Sequence, residues 1–350
     1  MNFAFLRPEP APPNNRRVGI IGAGPSGLAA SGYLACQGYE VEVYDKLPKP
    51  GGLMLFGIPG YRIPAERIHR GVHILSRTFG VQFHVNTKIC CSNPLHEEEG
   101  DHFSSDLRSL DELVEKNDAV IICTGSWKSR RLNIPGEGLE NVYSGLEFLF
   151  PIRAAQYAAP NVRSPEVAGK RVVVVGAGFS AVDVAENALR LGAAEVHLLY
   201  RRTRAEAPAG IFEIDRLLDE GCHWHERCTP TAILGEKTVH AIEYAQEGAP
   251  KSLEADMVVS AIGEIPTPPF QKQLGLEEVR KGDVRWLNMT RIENVFVAGD
   301  VLSGPSKIGK AVYSGLRAAR SLANWLDLKA QHRESEYNYD ADVIAPRALR

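Results

Sequence analysis

Residues 17–45 read RVGIIGAGPSGLAASGYLACQGYEVEVYD, and this stretch decides the fold. Arg17 to Ile21 has the pattern of a short buried strand, Pro25 to Gly38 that of a helix of small residues and Leu, and Glu40 to Tyr44 that of a second strand alternating charge with apolar side chains. Between the first strand and the helix lies Gly22-Ala23-Gly24-Pro25-Ser26-Gly27. Gly22 permits the tight turn, Gly24 lets backbone approach a pyrophosphate, and Gly27 lets the helix pack on the strand, while the helix N-terminus supplies N–H donors. Asp45 follows at the end of the second strand, where a carboxylate accepts ribose hydroxyls.

The pattern returns about 150 residues later, at Arg171 to Val175, Ser180 to Leu191 and Glu195 to Tyr200, with the turn Gly176-Ala177-Gly178-Phe179-Ser180-Ala181. Alanine takes the place of the third glycine, a permitted exchange at a packing contact. The two copies differ after the second strand. Where the first has an acid, this one reads Tyr200-Arg201-Arg202-Thr203-Arg204. Guanidinium groups there clamp a 2′-phosphate that a carboxylate would repel, so the second nucleotide is expected to be NADPH. Two such units imply two nucleotides.

Composition bounds the rest. A length of 350 residues favours two domains, and 44% hydrophobic with 24% charged residues is an ordinary globular mixture. Lys+Arg 40 against Asp+Glu 43 leaves a net charge of −3, with no general attraction to nucleic acid or an anionic membrane. No segment reaches the roughly 18 apolar residues of a membrane span, and a cytoplasmic protein is expected. The six cysteines (Cys36, Cys90, Cys91, Cys123, Cys222, Cys228) include no C-x-x-C pair, which argues against a dithiol redox centre or an iron–sulfur cluster in this chain. Cys222 to Cys228 (CHWHERC) has metal-ligand composition, yet a strand would send Cys222, Trp224 and Cys228 to one face and the histidines to the other, so no metal is expected. Adjacent Cys90 and Cys91 read as structural thiols, and His69 and His73 as a solvated helix face.

Other segments fill in the organisation. Glu97 to Asp106 reads as a polar loop, Asp118 to Cys123 as a strand stopped at Thr124-Gly125, Pro151 to Glu166 as a crossover between domains, and Pro266 to Pro269 as a hinge. Met257 to Ile262 and Val295 to Ala298 are short apolar strands. Gly51-Gly52-Leu53 brings backbone close to a flat or phosphorylated group. Gly299-Asp300 suits a polyol, and Gly304-Pro305-Ser306 opens a helix through Lys310 to Leu322 whose N-terminus favours negative charge.

In order, GAGPSGLAA, DKLPKPGGLMLFGIPGYRIP, ICTGS, VVVVGAGFSAVD, LLYRRTRAEAP, SAIGEIP and VFVAGDVLSGPSKIGKAV resemble the FAD- and NADPH-binding core of the glutamate synthase small (beta) subunit family, related to the flavin domains of dihydropyrimidine dehydrogenase and to adrenodoxin reductase. The resemblance covers about Arg16 to Lys329. It implies an α/β fold of two Rossmann-like nucleotide-binding domains, glutathione-reductase-like, with an NAD(P)H-binding domain at 144–265 inserted into a discontinuous FAD-binding domain at 16–143 and 266–330. A 1–15 N-terminal arm and a 331–350 C-terminal tail flank them.

The resemblance places FAD along Gly22, Ala23, Gly24, Pro25, Ser26, Gly27, Asp45, Lys46, Gly52, Leu53, Arg62, Thr124, Gly125, Gly299, Asp300, Lys307 and Ile308. It places NADPH along Gly176, Ala177, Gly178, Phe179, Ser180, Ala181, Arg201, Arg202, Glu213 and Gly263, with NADP(H) expected over NAD(H). The chemistry is then hydride transfer to flavin N5 with no catalytic side chain and no metal. The family's cysteine-rich iron–sulfur domain has no counterpart in these residues, which implies an electron-transfer subunit of a hetero-oligomer with an iron–sulfur or ferredoxin-like partner. The alternatives are a stand-alone NADPH:ferredoxin reductase and a non-catalytic FAD-binding assembly subunit. The Pro-rich arm and the polar tail are expected to order against that partner.

Overall fold

The computed structural model describes residues 1–90, 98–157, 162–265, 290 and 292–336. The chain divides into two units. The first comprises Met1–Leu55, Ile63–Trp127 and Pro266–Arg350, and the second Phe56–Arg62 and Lys128–Ile265.

The first unit is built on a five-stranded parallel sheet in the order Val295–Val297, Ala119–Ile122, Arg17–Ile21, Glu40–Tyr44, Gln82–His84. Its central strands Arg17–Ile21 and Ala119–Ile122 are apolar on both faces, as a sheet covered on both sides requires. Ile21, Tyr44, Val120, Ile122 and Val297 form one buried cluster with Leu110 and Leu113. The Pro25–Cys36 helix starts with Pro at its first position and runs along the sheet beside the long Ile308–Ala330 helix. Close contact between these helices needs glycine. A Cβ on Gly315 would stand 2.1 Å from the Ser26 carbonyl oxygen. The later helix outruns the expected Leu322 because its buried positions continue through Trp325 and Leu326.

The second unit repeats the plan with a parallel sheet in the order His223–Glu226, Glu195–Tyr200, Arg171–Val175, Met257–Ser260, Val142–Ser144. Val172, Val174 and Val196 pack on one face with Val182 and Ala185 of the Phe179–Arg190 helix, and Val173, Val175 and Leu199 on the other with Ile233, Ile242 and Tyr244. That second face is covered by a three-stranded antiparallel sheet, Cys228–Gly235, Val239–Gln246 and Ala249–Glu254, which the sequence pattern does not reveal.

Several expectations are corrected. Pro151 to Tyr157 is no crossover but the end of a Gly145–Tyr157 helix, started by a Ser144/Glu147 capping box and buried through Phe148, Leu149 and Ile152 against the second unit's core. The second unit begins at Lys128 rather than 144, and it claims Phe56–Arg62 from between the first unit's elements. Cys228 leaves the face of Cys222 and Trp224, because Arg227 adopts a positive φ of 57° and turns the strand over.

The N-terminal arm is not free. Phe3 and Ala4 are buried, the terminal amine donates to the Arg67 carbonyl at 2.7 Å, and the Ala11 and Asn14 amides donate to Cys36 and Gly38. The arm lies where Gly32, Gly38 and Gly71 leave room: Cβ atoms there would meet Phe3 O at 2.0 Å, Pro12 O at 2.1 Å and the Phe3 ring at 2.7 Å. Cys91, Pro266 to Pro269, and the tail from Tyr337 lie outside the described residues.

Candidate functional site

In the first unit, Gly22 has φ +105°, and a Cβ there would stand 2.4 Å from the Cys123 carbonyl oxygen. Gly27 is equally constrained, its Cβ position 1.9 Å from the Gly22 oxygen. Gly24 is the opposite case. A Cβ there would meet nothing within 4 Å among the described residues, so the turn opens toward a ligand at this position alone of the three. Gly24 also caps the helix without any side-chain hydrogen bond, which leaves first-turn amides for an anion.

The neighbouring segments converge on the same turn. Gly51 donates its amide to the Ala23 carbonyl at 2.9 Å, and Gly52, at φ +51°, would bring a Cβ 2.7 Å from the Gly24 Cα. Asp45 is buried and receives the amides of Ala23 at 2.5 Å and Leu47 at 2.8 Å, while burial pushes its carboxyl above the usual range. Gly299 stands against Ser26, with φ +81° and a Cβ position 2.8 Å from the serine Cβ. Asp300 opens a short helix, Asp300–Ser303, accepts from Ser306 Oγ at 2.6 Å, and is raised in pKa by burial. Lys307 and Ile308 begin the long helix just beyond.

Thr124 Oγ1 is buried without a hydrogen-bond partner, next to Gly125 and to the strand Ala119–Ile122, which pairs with the strand that carries the turn. An open Gly24 backbone, an orphaned hydroxyl and a buried acid fit the adenosine and phosphate half of a flavin nucleotide. Cys123 offers no competing chemistry, since burial pushes its thiol up to about 12.

The second unit holds a cleft of about 830 Å³, lined by Gly176 to Ser180, Tyr200, Arg201, Arg202, Pro208, Ala261, Gly263, and Arg130 to Ile134. Gly176, at φ +132°, would place a Cβ 2.3 Å from the Ala261 oxygen, whereas Gly178 again has nothing within 4 Å. Ala181 is buried under the helix and faces the core. Of the three arginines after Tyr200, Arg201 and Arg202 are exposed at the cleft, while Arg204 is bound to Asp215. No carboxylate lines the cleft among the described residues.

Three expected ligand residues carry ion pairs within the protein. Lys46 is held by Asp101 at 2.9 Å and Glu98 at 3.0 Å, over the Trp127 ring. Arg62 belongs to the second unit, where it pairs with Asp183 at 2.5 Å and Glu213 at 3.1 Å. Glu213 is therefore occupied by Arg62 and, at 3.3 Å, by Arg216. Asp183 is pushed up to about 6 by its burial, against the pull of Arg62 and with Glu186 and Glu213 adding to the rise. The histidines of CHWHERC gather with His197, whose Nδ1 lies 3.0 Å from His225 Nε2 and whose ring stacks on His223. Burial holds both His197 and His225 below the usual range, and no metal-binding cluster is present among the described residues. Arg130 and Arg131 are the charged cleft residues that sequence reasoning missed. Nothing in their local pattern marks them, because they lie far along the chain from the glycine turn.

Two turns of this kind, one followed by an acid and one by arginines, define a two-nucleotide oxidoreductase. The family model described as pyridine nucleotide-disulphide oxidoreductase matches residues 16–315, and the chain belongs to this family. It is an FAD-dependent NAD(P)H oxidoreductase.

Within the family, the chain is similar to the glutamate synthase [NADPH] small chain of Azospirillum brasilense, at 32% identity over 90% of this chain and 67% of that protein. It is also similar to the NADPH-Fe(3+) oxidoreductase subunit beta of Geobacter sulfurreducens, at 32% over 91% of this chain and 51% of that protein. A third relative is the NADP(+)-dependent formate dehydrogenase subunit beta of Moorella thermoacetica, at 33% over 89% and 44%. The chain thus spans about half the length of the last two. Among solved structures, Mycobacterium tuberculosis FprA in complex with NADPH shares the fold, with TM-score 0.72 over 96% of this chain and 89% of that one at 22% identity. No described helix is long and apolar enough to cross a membrane.

Proposed function

We propose that the chain is a cytoplasmic electron-transfer subunit, which exchanges electrons between NADP(H) and an iron–sulfur partner in a larger redox enzyme. The observation that carries the nucleotide half of this reading is the pair Arg201 and Arg202, exposed at a cleft without carboxylates beside an open Gly178. In the second unit, Gly176 to Ala181 would cradle the pyrophosphate, the arginine pair would grip the 2′-phosphate, and Gly263 would border the nicotinamide side.

In the first unit, the turn Gly22 to Gly27 with Asp45 would hold the adenosine half of FAD. Gly52, Leu53, Thr124, Gly125, Gly299 and Asp300 would carry the rest, with Lys307 and Ile308 near the ring. Bound FAD supplies the conversion between a two-electron hydride donor and one-electron acceptors. The chain's own residues orient both nucleotides and, by burying Asp45 and half-burying Asp300, limit water at their polar contacts.

The partner is inferred from two features. Among the described cysteines, Cys36, Cys123, Cys222 and Cys228 are buried and form no disulfide, which argues against these four thiols as a relay. The names of the similar proteins above are those of a small chain and of beta subunits, which supports a hetero-oligomer.

The test is anaerobic. Isolated protein should be yellow, bleach with NADPH and reduce a viologen dye, and protein isolated under native conditions should bring down an iron–sulfur subunit. A chain that isolates alone and passes electrons to free ferredoxin at full rate would replace this reading by a stand-alone reductase. Failure to bleach would favour an assembly role.

A further inference from the structure

The cleft of the second unit carries four arginines on two walls. Arg201 and Arg202 come directly after the strand Glu195–Tyr200, on one side of the central strand Arg171–Val175. Arg130 and Arg131 lie on the other side, where Met257–Ser260 pairs with that central strand and leads to Gly263. In a doubly wound sheet the dinucleotide straddles the point where strand order reverses, with its pyrophosphate over the glycine turn and one mononucleotide on each side. The adenosine half falls to the Arg201 side, so Arg130 and Arg131 face the other half.

Their position is built rather than incidental. The Arg130 amide donates to the Gly263 carbonyl at 2.9 Å. Its Cδ and Nε lie 3.8 Å from where a Cβ on Gly263 would stand, an ordinary packing distance that sets the arginine stem alongside Gly263, whose φ of +101° suits glycine. The backbone just beyond is pinned. Glu137 accepts the amides of Leu132 at 2.6 Å and Asn133 at 2.9 Å, and Pro135 accepts the Ile233 amide at 2.8 Å. Both arginines are exposed and neither forms an ion pair with a described residue.

We infer that Arg130 and Arg131 are a second anion clamp, which grips the pyrophosphate and the nicotinamide-side phosphate common to NADPH and NADH. The inference rests on reading this cleft as the NADP(H) site. It divides the work between two walls: Arg201 and Arg202 read the 2′-phosphate and set preference, while Arg130 and Arg131 add affinity without preference.

The experiment is calorimetric titration of the flavin-loaded full chain and its Arg130→Ala/Arg131→Ala variant with NADP+, NAD+ and 2′-AMP, which has no pyrophosphate. Loss of two charge-assisted phosphate contacts should weaken NADP+ and NAD+ by a common factor of about ten to a hundred and leave 2′-AMP unchanged. Retained 2′-AMP binding also shows that the variant's cleft is folded. Equal loss of all three ligands, or NADP+ affinity unchanged, would overturn the clamp. Failure of the underlying NADP(H) reading shows differently, as a wild-type chain that binds none of the three.

Discussion

The two glycine turns of this protein are close copies in sequence and differ in what surrounds them. In both, the first glycine sits at positive φ with a backbone oxygen where a Cβ would stand, Cys123 O for Gly22 and Ala261 O for Gly176, and the second glycine stands open. The charge placed after the second strand is reversed: a buried Asp45 bound by amides in one, an exposed Arg201 and Arg202 in the other. The helices behind the turns are also braced by different means. The Pro25–Cys36 helix is backed by an apolar arm through Phe3, which lies against Gly32. The Phe179–Arg190 helix is backed by the borrowed segment Phe56–Arg62, through the Arg62–Asp183 ion pair and Arg190 over the Tyr61 ring at 4.3 Å. A shared ligand problem fixes the turn, while the brace is free to be either apolar or ionic.

The sharpest break in the comparison comes from the glycines that should behave alike. Gly22→Ala and Gly176→Ala each force a Cβ into a carbonyl at positive φ, and each should cost about 3 kcal/mol or more in urea unfolding. A mild effect at either would mean that the two turns are not held the same way.

The braces should respond differently. Arg62→Ala strands the buried charge of Asp183 and should cost about 2–4 kcal/mol, whereas Arg62→Met with Asp183→Leu should come close to wild type in thermal melting. Phe3→Ala removes a packed ring and should cost about 2–3 kcal/mol, with no such rescue by pairing. If the double variant at 62 and 183 melted as low as Arg62→Ala alone, the ionic brace would matter for more than charge balance.

Arg201→Ala/Arg202→Ala tests the reversal of charge. Loss of the phosphate contacts should raise the NADPH Michaelis constant by about ten- to a hundredfold, roughly 1.5–3 kcal/mol, with NADH little changed. Equal effects on both coenzymes would erase the distinction between the turns.

The smallest change in stability is expected at the open glycines. Gly24→Ala and Gly178→Ala meet no atom and should shift unfolding by no more than about 0.5 kcal/mol. They should nonetheless lower retention of FAD and affinity for NADP+, measured by flavin release and by titration. Loss of stability together with binding would show that these positions are structural.

Much of the fold was legible along the chain. The strands Arg17–Ile21, Glu40–Tyr44, Arg171–Val175 and Glu195–Tyr200 stand where the period and the flanking glycines put them, because a buried parallel strand is short, rich in β-branched residues and ended by a turn. Pro151 misled, since a proline inside a helix reads as a break, while Phe148, Leu149 and Ile152 bury enough apolar surface to keep the helix intact. The arm misled for a related reason. Its few apolar residues cannot fold alone, yet Phe3 finds a site prepared by Gly32 and Gly71.

By itself, the sequence determined the two turns, the acid after one and the arginines after the other, because steric freedom at glycine and charge at a strand end are properties of neighbouring residues. Tertiary structure alone decided which charges remain for a ligand. Arg204 is spent on Asp215, Arg62 on Asp183 and Glu213, and Lys46 on Asp101 and Glu98, while Arg130 and Arg131 arrive at the cleft from another part of the chain. An ion pair depends on which side chains come within a few ångströms in space, and no local pattern carries that distance.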